Sequence, residues 1–540
     1  MSAIQFSLGR FLRMAAAAAT VLACLATPAA AQPESPVATQ ARRIDIDLRK
    51  AGAPLDRSFN FSVGSDYPGT LIRPESLAQL EIAVDELGFR YIRFHAIFHD
   101  VFRTVRLENG KPVYDWTKID QLYDALLGMG IKPFVELGFT PEAIASSPQT
   151  IFFWKGNTSH PEPRAWRTLV DAFVRHLRSR YGEAEIRSWY FEVWNEPNLD
   201  GFWERADQKA YFELYEASAR AIKAIDPRLR IGGPATAGAA WVPEFLDFAS
   251  KRGLPVDFVA THTYGVDGGF LDEKGQDDNR LSTNPDAVIG DVRRVRQQIT
   301  ASKFPRLPLF FTEWSASYNP RDPVHDSYIA AAYILTKLKA TRGLAQGMSY
   351  WTFSDLFEEA GPPPTPFHGG FGLINREGIR KPAFFAYKYL NLLGGREVPA
   401  ADAQSWISTS EGRTAALLWD WQQPKQELSN RPFFTKVLPA REARPVELHF
   451  SGLAPGSYRI TVRRTGFKAN DAHTRYLEMG SPASLSPGQL TELQTLTRDL
   501  PETSATMRIG RTGNYVLRVP MRSNDVVLAL VEPVGRSARK

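Results

Sequence analysis

Eight short apolar runs, each followed by a stretch of helical periodicity, constrain this 540-residue chain more than any other feature. The runs are FNFSVG (59–64), FRYIRFH (89–95), IKPFVEL (131–137), SWYFEVW (188–194), LRIGGP (229–234), DFVATHTY (257–264), PLFFTEW (308–314) and GMSYWTF (347–353). Helical patterns follow around 75–88, 118–129, 164–180, 207–225, 241–252, 285–300, 326–342 and 380–392. Parallel strands need crossovers, and helices supply them. Eight such units over roughly 330 residues give the count of a (β/α)8 barrel. An open doubly wound sheet is the competing arrangement. It is disfavoured because no Gly-x-Gly-x-x-Gly follows the first strand, and Gly232-Gly233 stands alone.

Both ends lie outside that count. Arg10 and Arg13 precede the apolar run MAAAAATVLACLA, and Ala29-Ala30-Ala31 closes the segment. A charged start, a short apolar run and an A-x-A site read as a secretory leader over 1–31, so the chain is expected outside the cytoplasm, periplasmic or secreted. The run is too short to span a membrane, and no transmembrane span is expected. The only cysteine, Cys24, falls within this leader. Val21-Leu22-Ala23 before it loosely resembles a bacterial lipoprotein signal, but Leu22 fits that pattern poorly, so a lipid anchor is the weaker reading. Cleavage after Ala31 would leave no thiol, hence no disulfide and no Cys-ligated metal.

Residues 32–50 read as a linker followed by a strand, with Ile44, Ile46 and Leu48 alternating with charge. Residues 51–392 hold the barrel. From 393 to 540 the pattern changes to alternating stretches such as RPVELHF, GSYRITV, NYVLRV and NDVVLALV, separated by Gly, Pro, Ser and Asn. These predict an accessory antiparallel β-sandwich, which the early strand is placed to complete. The formal charge of +6 falls to +4 without Arg10 and Arg13. That is too mild for a nucleic-acid partner, and no basic cluster is interleaved with aromatics.

A barrel of this kind carries its site at the C-terminal ends of the strands. Those ends hold Arg93-Phe94-His95, Asn195-Glu196-Pro197, His262-Thr263-Tyr264, Glu313-Trp314, and Trp351 followed by Asp355 and Glu358-Glu359. Two acids, Glu196 and Glu313, face a mouth rich in aromatics, a pairing suited to glycosidic bond cleavage. A separation of roughly 5–5.5 Å gives retention and roughly 6.5–9.5 Å gives inversion; sequence leaves the choice open. Glu136 and Glu192 also sit late in strands and read as supporting interior charges. His95 and His99 are four apart, but the glutamate of an H-E-x-x-H helix is missing, so no metal and no cofactor is expected. Among Trp116, Trp154 and Trp166, Trp154 is the candidate sugar platform.

The motifs RFHAIFHD, PFVELGFTP, FFWKGN, FEVWNEPNL, THTY, FTEWSASYNPRDPVHDSY and SYWTFSDLFEE, followed by GGFGLINREGIRKPAF, run in order along residues 44 to 392. They resemble glycoside hydrolase family 39 of clan A, retaining barrel enzymes that include β-xylosidases and α-L-iduronidases. The resemblance implies that Glu196 is the acid/base and Glu313 the nucleophile. It implies that Asn195 bonds the hydroxyl beside the reacting carbon and that Arg93 holds Glu313. His262, Tyr264 and Tyr318 would position nucleophile or sugar. His95, Trp351, Glu358 and Glu359 would bind the sugar. An iduronidase should present Arg or Lys to its uronate. Glu358-Glu359 would repel one, so terminal xylose of xylo-oligosaccharides is the expected substrate, with iduronide or arabinopyranoside as alternatives. A non-catalytic carbohydrate-binding barrel would lack one of the acids, and both are present. The long segment GGFLDEKGQDDNRLS after the sixth strand departs from the family's usual pattern and is expected to shape the subsites.

Overall fold

Eight parallel strands close into a barrel in chain order. They are β1 (Ser62–Ser65), β2 (Tyr91–Phe94), β3 (Lys132–Leu137), β4 (Tyr190–Val193), β5 (Arg230–Thr236), β6 (Phe258–Tyr264), β7 (Leu309–Ser315) and β8 (Gly347–Tyr350). Eight helices follow them in turn, from Pro74–Leu87 after β1 to Pro382–Asn391 after β8. The computed structural model describes residues 40–535. The leader read at 1–31, its Cys24 and most of the linker lie outside those residues. Among the described residues no helix is long and apolar enough to cross a membrane.

Local chemistry explains the elements. The strands are buried on both faces, so they read as near-continuous apolar runs; every residue of β7 is buried. The helices bury one stripe. Pro163–Tyr181 covers Trp166, Leu169, Val170, Phe173, Val174 and Leu177, the i, i+3, i+4, i+7 spacing of a single face. Pro163 opens it, and the Glu162 carboxylate accepts the free N–H groups of Arg164 and Ala165.

The alternation of strand side chains builds the barrel interior in layers. The lower layer is aromatic: Phe61, Tyr91, Phe134, Tyr190, Phe258 and Phe310 pack together, with Phe134 stacked on Tyr190 at 5.0 Å between ring centres. Two residues further along the same strands the layer turns ionic, with Arg93, Glu136, Glu192 and Thr312. One end of the barrel is therefore an apolar plug and the other a polar mouth.

The C-terminal region forms two packed sheets. One holds Arg42–Asp47, Glu442–Ser451 and Tyr515–Arg522; the other has six antiparallel strands between Arg396 and Pro533. The early strand does complete the first sheet, pairing Ile44 with Leu448. It runs parallel to its neighbour, the one exception to the antiparallel pattern. Ile44 and Ile46 enter the core between the sheets beside Val446, Leu448 and Val531. Helices Ala472–Glu478 and Pro487–Leu496, absent from the all-strand reading of this region, interrupt it. Trp419 Nε1 donates to Thr336 Oγ1 (3.0 Å), and Tyr389 OH to Asp499 Oδ1 (2.7 Å), fastening sheets to barrel helices.

Ile46 is 1% exposed. Ile46→Ala should therefore lower the unfolding free energy by about 2–5 kcal/mol, read by urea denaturation, with kcat intact wherever the variant is folded. An unchanged midpoint would show that the early strand is dispensable to the core.

Candidate active site

Arg93 projects from β2 into the ionic layer and is fully buried. Its Nε donates to Glu192 Oε2 at 2.8 Å and its Nη2 to Asn195 Oδ1 at 2.7 Å, and Nη2 also forms an ion pair with Glu136 Oε2 at 2.9 Å. Its Nη1 donates to Glu313 Oε1. Burial opposes its charge, but Glu192, Glu136 and Glu313 outweigh burial and raise its pKa further. Glu136 also takes His95 Nδ1 (2.8 Å) and the Ala96 N–H (2.9 Å), and Glu192 accepts from Thr312 Oγ1 (2.7 Å). Both carboxylates are thus engaged in support of Arg93 and His95. Burial works against charge on His95 as well, yet Glu136, aided by Glu359, brings it up to about 10.

Beyond β4 the backbone bends sharply. Trp194 (φ 70°) and Glu196 (φ 44°) both sit in the left-handed region, which costs on the order of 1–3 kcal/mol for each non-glycine residue. The surroundings hold them there: Trp194 N–H donates to Leu137 O (3.1 Å) and Glu196 N–H to Ala235 O (2.8 Å). The bend carries the Glu196 carboxyl over the mouth.

An oxygen of Glu196 lies within 4.8 Å of an oxygen of Glu313, with His262 between them. His262 Nδ1 is 2.9 Å from Glu196 Oε1 and 3.7 Å from Glu313 Oε2. Burial pushes His262 down to about 3, with Arg93 and His95 adding to the effect, so its ring is neutral. Burial pushes Glu196 up to about 7 against the opposing charges of His95 and Arg93. Glu313 has a donor on each oxygen, Arg93 on Oε1 and the Tyr264 hydroxyl on Oε2 at 2.6 Å. The spacing of Glu196, His262 and Glu313 would also admit a cation. The donor set does not suit one, because both Glu313 oxygens and His262 Nδ1 already have hydrogen-bond partners. The histidine pair is no metal site either. His95 faces Glu136 and Glu359, and His99 bonds the Trp154 carbonyl (2.9 Å) and the Val101 N–H (3.0 Å).

These groups open into a cavity of about 550 Å³, well within the range for small-molecule sites. Trp351 lines it. A Cβ on Gly64 would meet the Trp351 ring at 2.1 Å, so only glycine lets the indole lie flat on β1. The Arg93 guanidinium sits 5.5 Å from the ring centre. Glu359 enters the cavity 3.2 Å from His95 Nε2, and burial raises it to about 8 despite His95.

The structure brings Asn195, Glu196, Glu313, His95, Tyr264, Tyr318, Trp351 and Glu359 to the cavity wall, with Arg93 and His262 directly behind. Two expectations fail. Glu358 does not line the cavity; its carboxylate forms a two-bond pair with Arg73 (2.6 and 3.0 Å), and its N–H donates to Asp66 Oδ2 (2.8 Å). Trp154 is not a sugar platform. It stacks on Tyr67 at 4.6 Å and donates Nε1 to Asp66 Oδ1 at 3.0 Å, while Phe152 takes its place in the wall. Asp66, unremarked in the sequence, organises both side chains. The long segment after β6 folds as a hairpin, Val266–Leu271 against Asp277–Leu281. Val266 lines the cavity, and Asn279 Oδ1 accepts the Tyr318 hydroxyl at 2.8 Å. Asn430, from the C-terminal region, braces this hairpin and the β7 loop by accepting Leu281 N–H (2.9 Å) and donating to Asp322 Oδ2 (2.8 Å).

The family model for glycosyl hydrolases family 39 matches residues 42–514. A β-xylosidase from Geobacillus stearothermophilus is 41% identical over 380 residues, covering 69% of this chain and 75% of that protein. Another from Caldicellulosiruptor saccharolyticus is 37% identical over 462 residues, covering 84% and 90%. The crystal structure of a monomeric β-xylosidase from Caulobacter crescentus CB15 superposes with a TM-score of 0.91 at 64% identity, covering 92% of this chain and 100% of that one.

In a carboxyl-¹³C NMR titration of glutamate-labelled protein, the Glu196 resonance should titrate near pH 7 and be missing in Glu196→Gln. A Glu196 that titrates in the ordinary carboxylate range would contradict the electrostatics of this site.

Proposed function

The chain belongs to glycosyl hydrolase family 39, and from that premise we propose that it is a retaining exo-β-xylosidase. It releases terminal β-linked xylose from short xylosides, xylo-oligosaccharides among them. The observation that carries this reading is the approach of Glu196 and Glu313, with oxygens within 4.8 Å. Retaining pairs hold their carboxyl groups roughly 5–5.5 Å apart and inverting pairs roughly 6.5–9.5 Å, and this close approach favours the retaining arrangement.

In the first step Glu313 attacks the anomeric carbon as the glycosidic C–O bond breaks. Glu196, poised near neutrality, passes its proton to the departing oxygen. The products are an alcohol and a xylosyl ester of Glu313. Esterification removes the negative charge beside Glu196, so the ionised Glu196 persists and acts as a base. It takes a proton from water, whose oxygen attacks the anomeric carbon and frees Glu313. Two inversions leave β-xylose, and Glu196 is protonated again.

Arg93 positions this pair. It carries only donors, so the Asn195 atom facing it is the amide oxygen, and the NH₂ of Asn195 is left to bond the hydroxyl beside the reacting carbon. Exo action is supported by a closed end. Phe153 N–H of the β3 loop donates to Glu359 O (2.8 Å), Asp66 and Arg73 after β1 hold Glu358, and Arg321 after β7 binds the carbonyls of Ala360 (3.1 Å) and Gly361 (2.9 Å). The β8 loop is thus clamped from three sides beside the sugar end of the cavity, which supports a closed subsite for a terminal residue. Among the described residues no Arg or Lys lines the cavity, and the charge of His95 is already matched by Glu136, which disfavours a uronate. Glu358, paired with Arg73, takes no part in that discrimination. With the leader read at 1–31, the reaction takes place outside the cytoplasm.

On a panel of aryl glycosides, β-xyloside should exceed α-arabinopyranoside and α-iduronide. ¹H NMR should show β-xylose as the first product, before mutarotation. First-formed α-xylose, or preference for the iduronide, would overturn the assignment.

A further inference from the structure

The two halves of the cavity differ in kind. At the sugar end, Asn195, His95, Glu359 and Glu313 present polar side chains. The other half can be identified by mechanism. Glu196 delivers its proton to the departing oxygen, so the leaving group must lie on the side of the Glu196 loop. That loop turns back at once: Leu199 N–H donates to Glu196 O and Phe202 N–H to Leu199 O, each at 3.0 Å. The turn sets Leu199 and Phe202 in the wall beside the acid, and Leu199 remains 40% exposed.

The neighbouring wall is Ala237, Gly238 and Asp291, and side chains behind it already bond the Ala237 N–H, both carbonyls and the Asp291 carboxylate. Asn198 bonds both the Ala237 N–H (2.8 Å) and the Ala237 carbonyl (3.1 Å). Arg294 takes the Gly238 carbonyl (3.3 Å) and Asp291 Oδ1 (2.6 Å), while Thr263 Oγ1 donates to Asp291 Oδ2 (2.6 Å). Across the opening stands the half-exposed Tyr318, whose hydroxyl is turned away to Asn279, leaving the ring to face the cavity. A second sugar here would find apolar walls and polar groups already in use. A ring or chain of carbon would find contact along its whole length.

We propose that the leaving-group half of this site is built for an apolar aglycone, aryl or alkyl, in preference to a second sugar, with Leu199 and Phe202 determining that specificity. The inference rests on the β-xylosidase reading and narrows its substrate class to xylosides of hydrophobic alcohols and phenols.

The test compares kcat/KM for benzyl β-xyloside, xylobiose and p-nitrophenyl β-xyloside, with the wild type and Leu199→Asn. Benzyl alcohol is a weaker acid than a sugar hydroxyl, so a preference for the benzyl compound reports contact rather than leaving-group chemistry. The expected result is benzyl xyloside ahead of xylobiose by at least about tenfold, the scale of discrimination an apolar pocket supplies. Leu199→Asn should shrink that ratio severalfold. A second readout needs no variant: benzyl alcohol should intercept the xylosyl-enzyme of the wild type, giving benzyl xyloside, more efficiently than xylose at equal concentration. Xylobiose cleaved as fast as or faster than the benzyl compound, with xylose the better acceptor, overturns the inference and leaves the xylosidase reading intact. Failure to cleave any of the three xylosides overturns both.

Discussion

Arg93 is a buried cation among three buried carboxylates, and the mouth of the barrel is organised around it. Its contacts tie together three strands: Glu136 on β3, Glu192 on β4 with Asn195 just beyond it, and Glu313 on β7. A buried ion network is not itself a source of stability, because desolvation offsets much of the attraction. Its effect is on position and charge. Removing the guanidinium would leave carboxylates buried and uncompensated, a loss on the order of 3–5 kcal/mol when one partner of such a pair goes. With Arg93 present, one oxygen of Glu313 is held and the other is left to Tyr264. Glu196 has no guanidinium contact, and burial keeps its proton on near neutrality. Two like residues are thus held by different partners, Glu313 by Arg93 and Tyr264 and Glu196 by His262.

The layers beneath give this arrangement its footing. The aromatic plug of Phe134, Tyr190, Phe258 and Phe310 blocks the other end of the barrel, so charge collects at one mouth. Around that mouth the loops brace one another. Asp66 ties the β1 loop to Trp154 and Glu358, and Asn430 brings the C-terminal region to bear on the hairpin after β6. The β-sandwich therefore reaches the site through support of Tyr318 and Val266, which fits a structural part.

The barrel was legible in the sequence because parallel strands buried on both faces leave continuous apolar runs, with helical periodicity between them. Glu196 and Glu313 were legible for a related reason: a strand end in this fold has one place to point. Loops carry no such rule. Glu358 and Glu359 are adjacent, and only the bend made by Arg73 and Asp66 turns one outward and the other into the cavity. Trp154 and Phe152 exchange roles in the same way, since the hydrogen bond from Trp154 to Asp66 spans 88 residues that no local pattern connects. The helices Ala472–Glu478 and Pro487–Leu496 were hidden within a region whose flanking strands alternate strongly. The Ser486–Gln489 capping box at the second helix was the signal that could have found it.

A division of labour underlies the site: Glu313, held by Arg93 and Tyr264, forms the covalent bond, and Glu196 moves the proton. It is tested most directly by trapping. Incubation with an activated 2-deoxy-2-fluoro-β-xyloside, which forms the glycosyl ester faster than it loses it, should inactivate the enzyme. Peptide mass spectrometry should then place a single fluoroxylosyl group on Glu313. A label on Glu196, or steady turnover with no covalent adduct, would contradict the account.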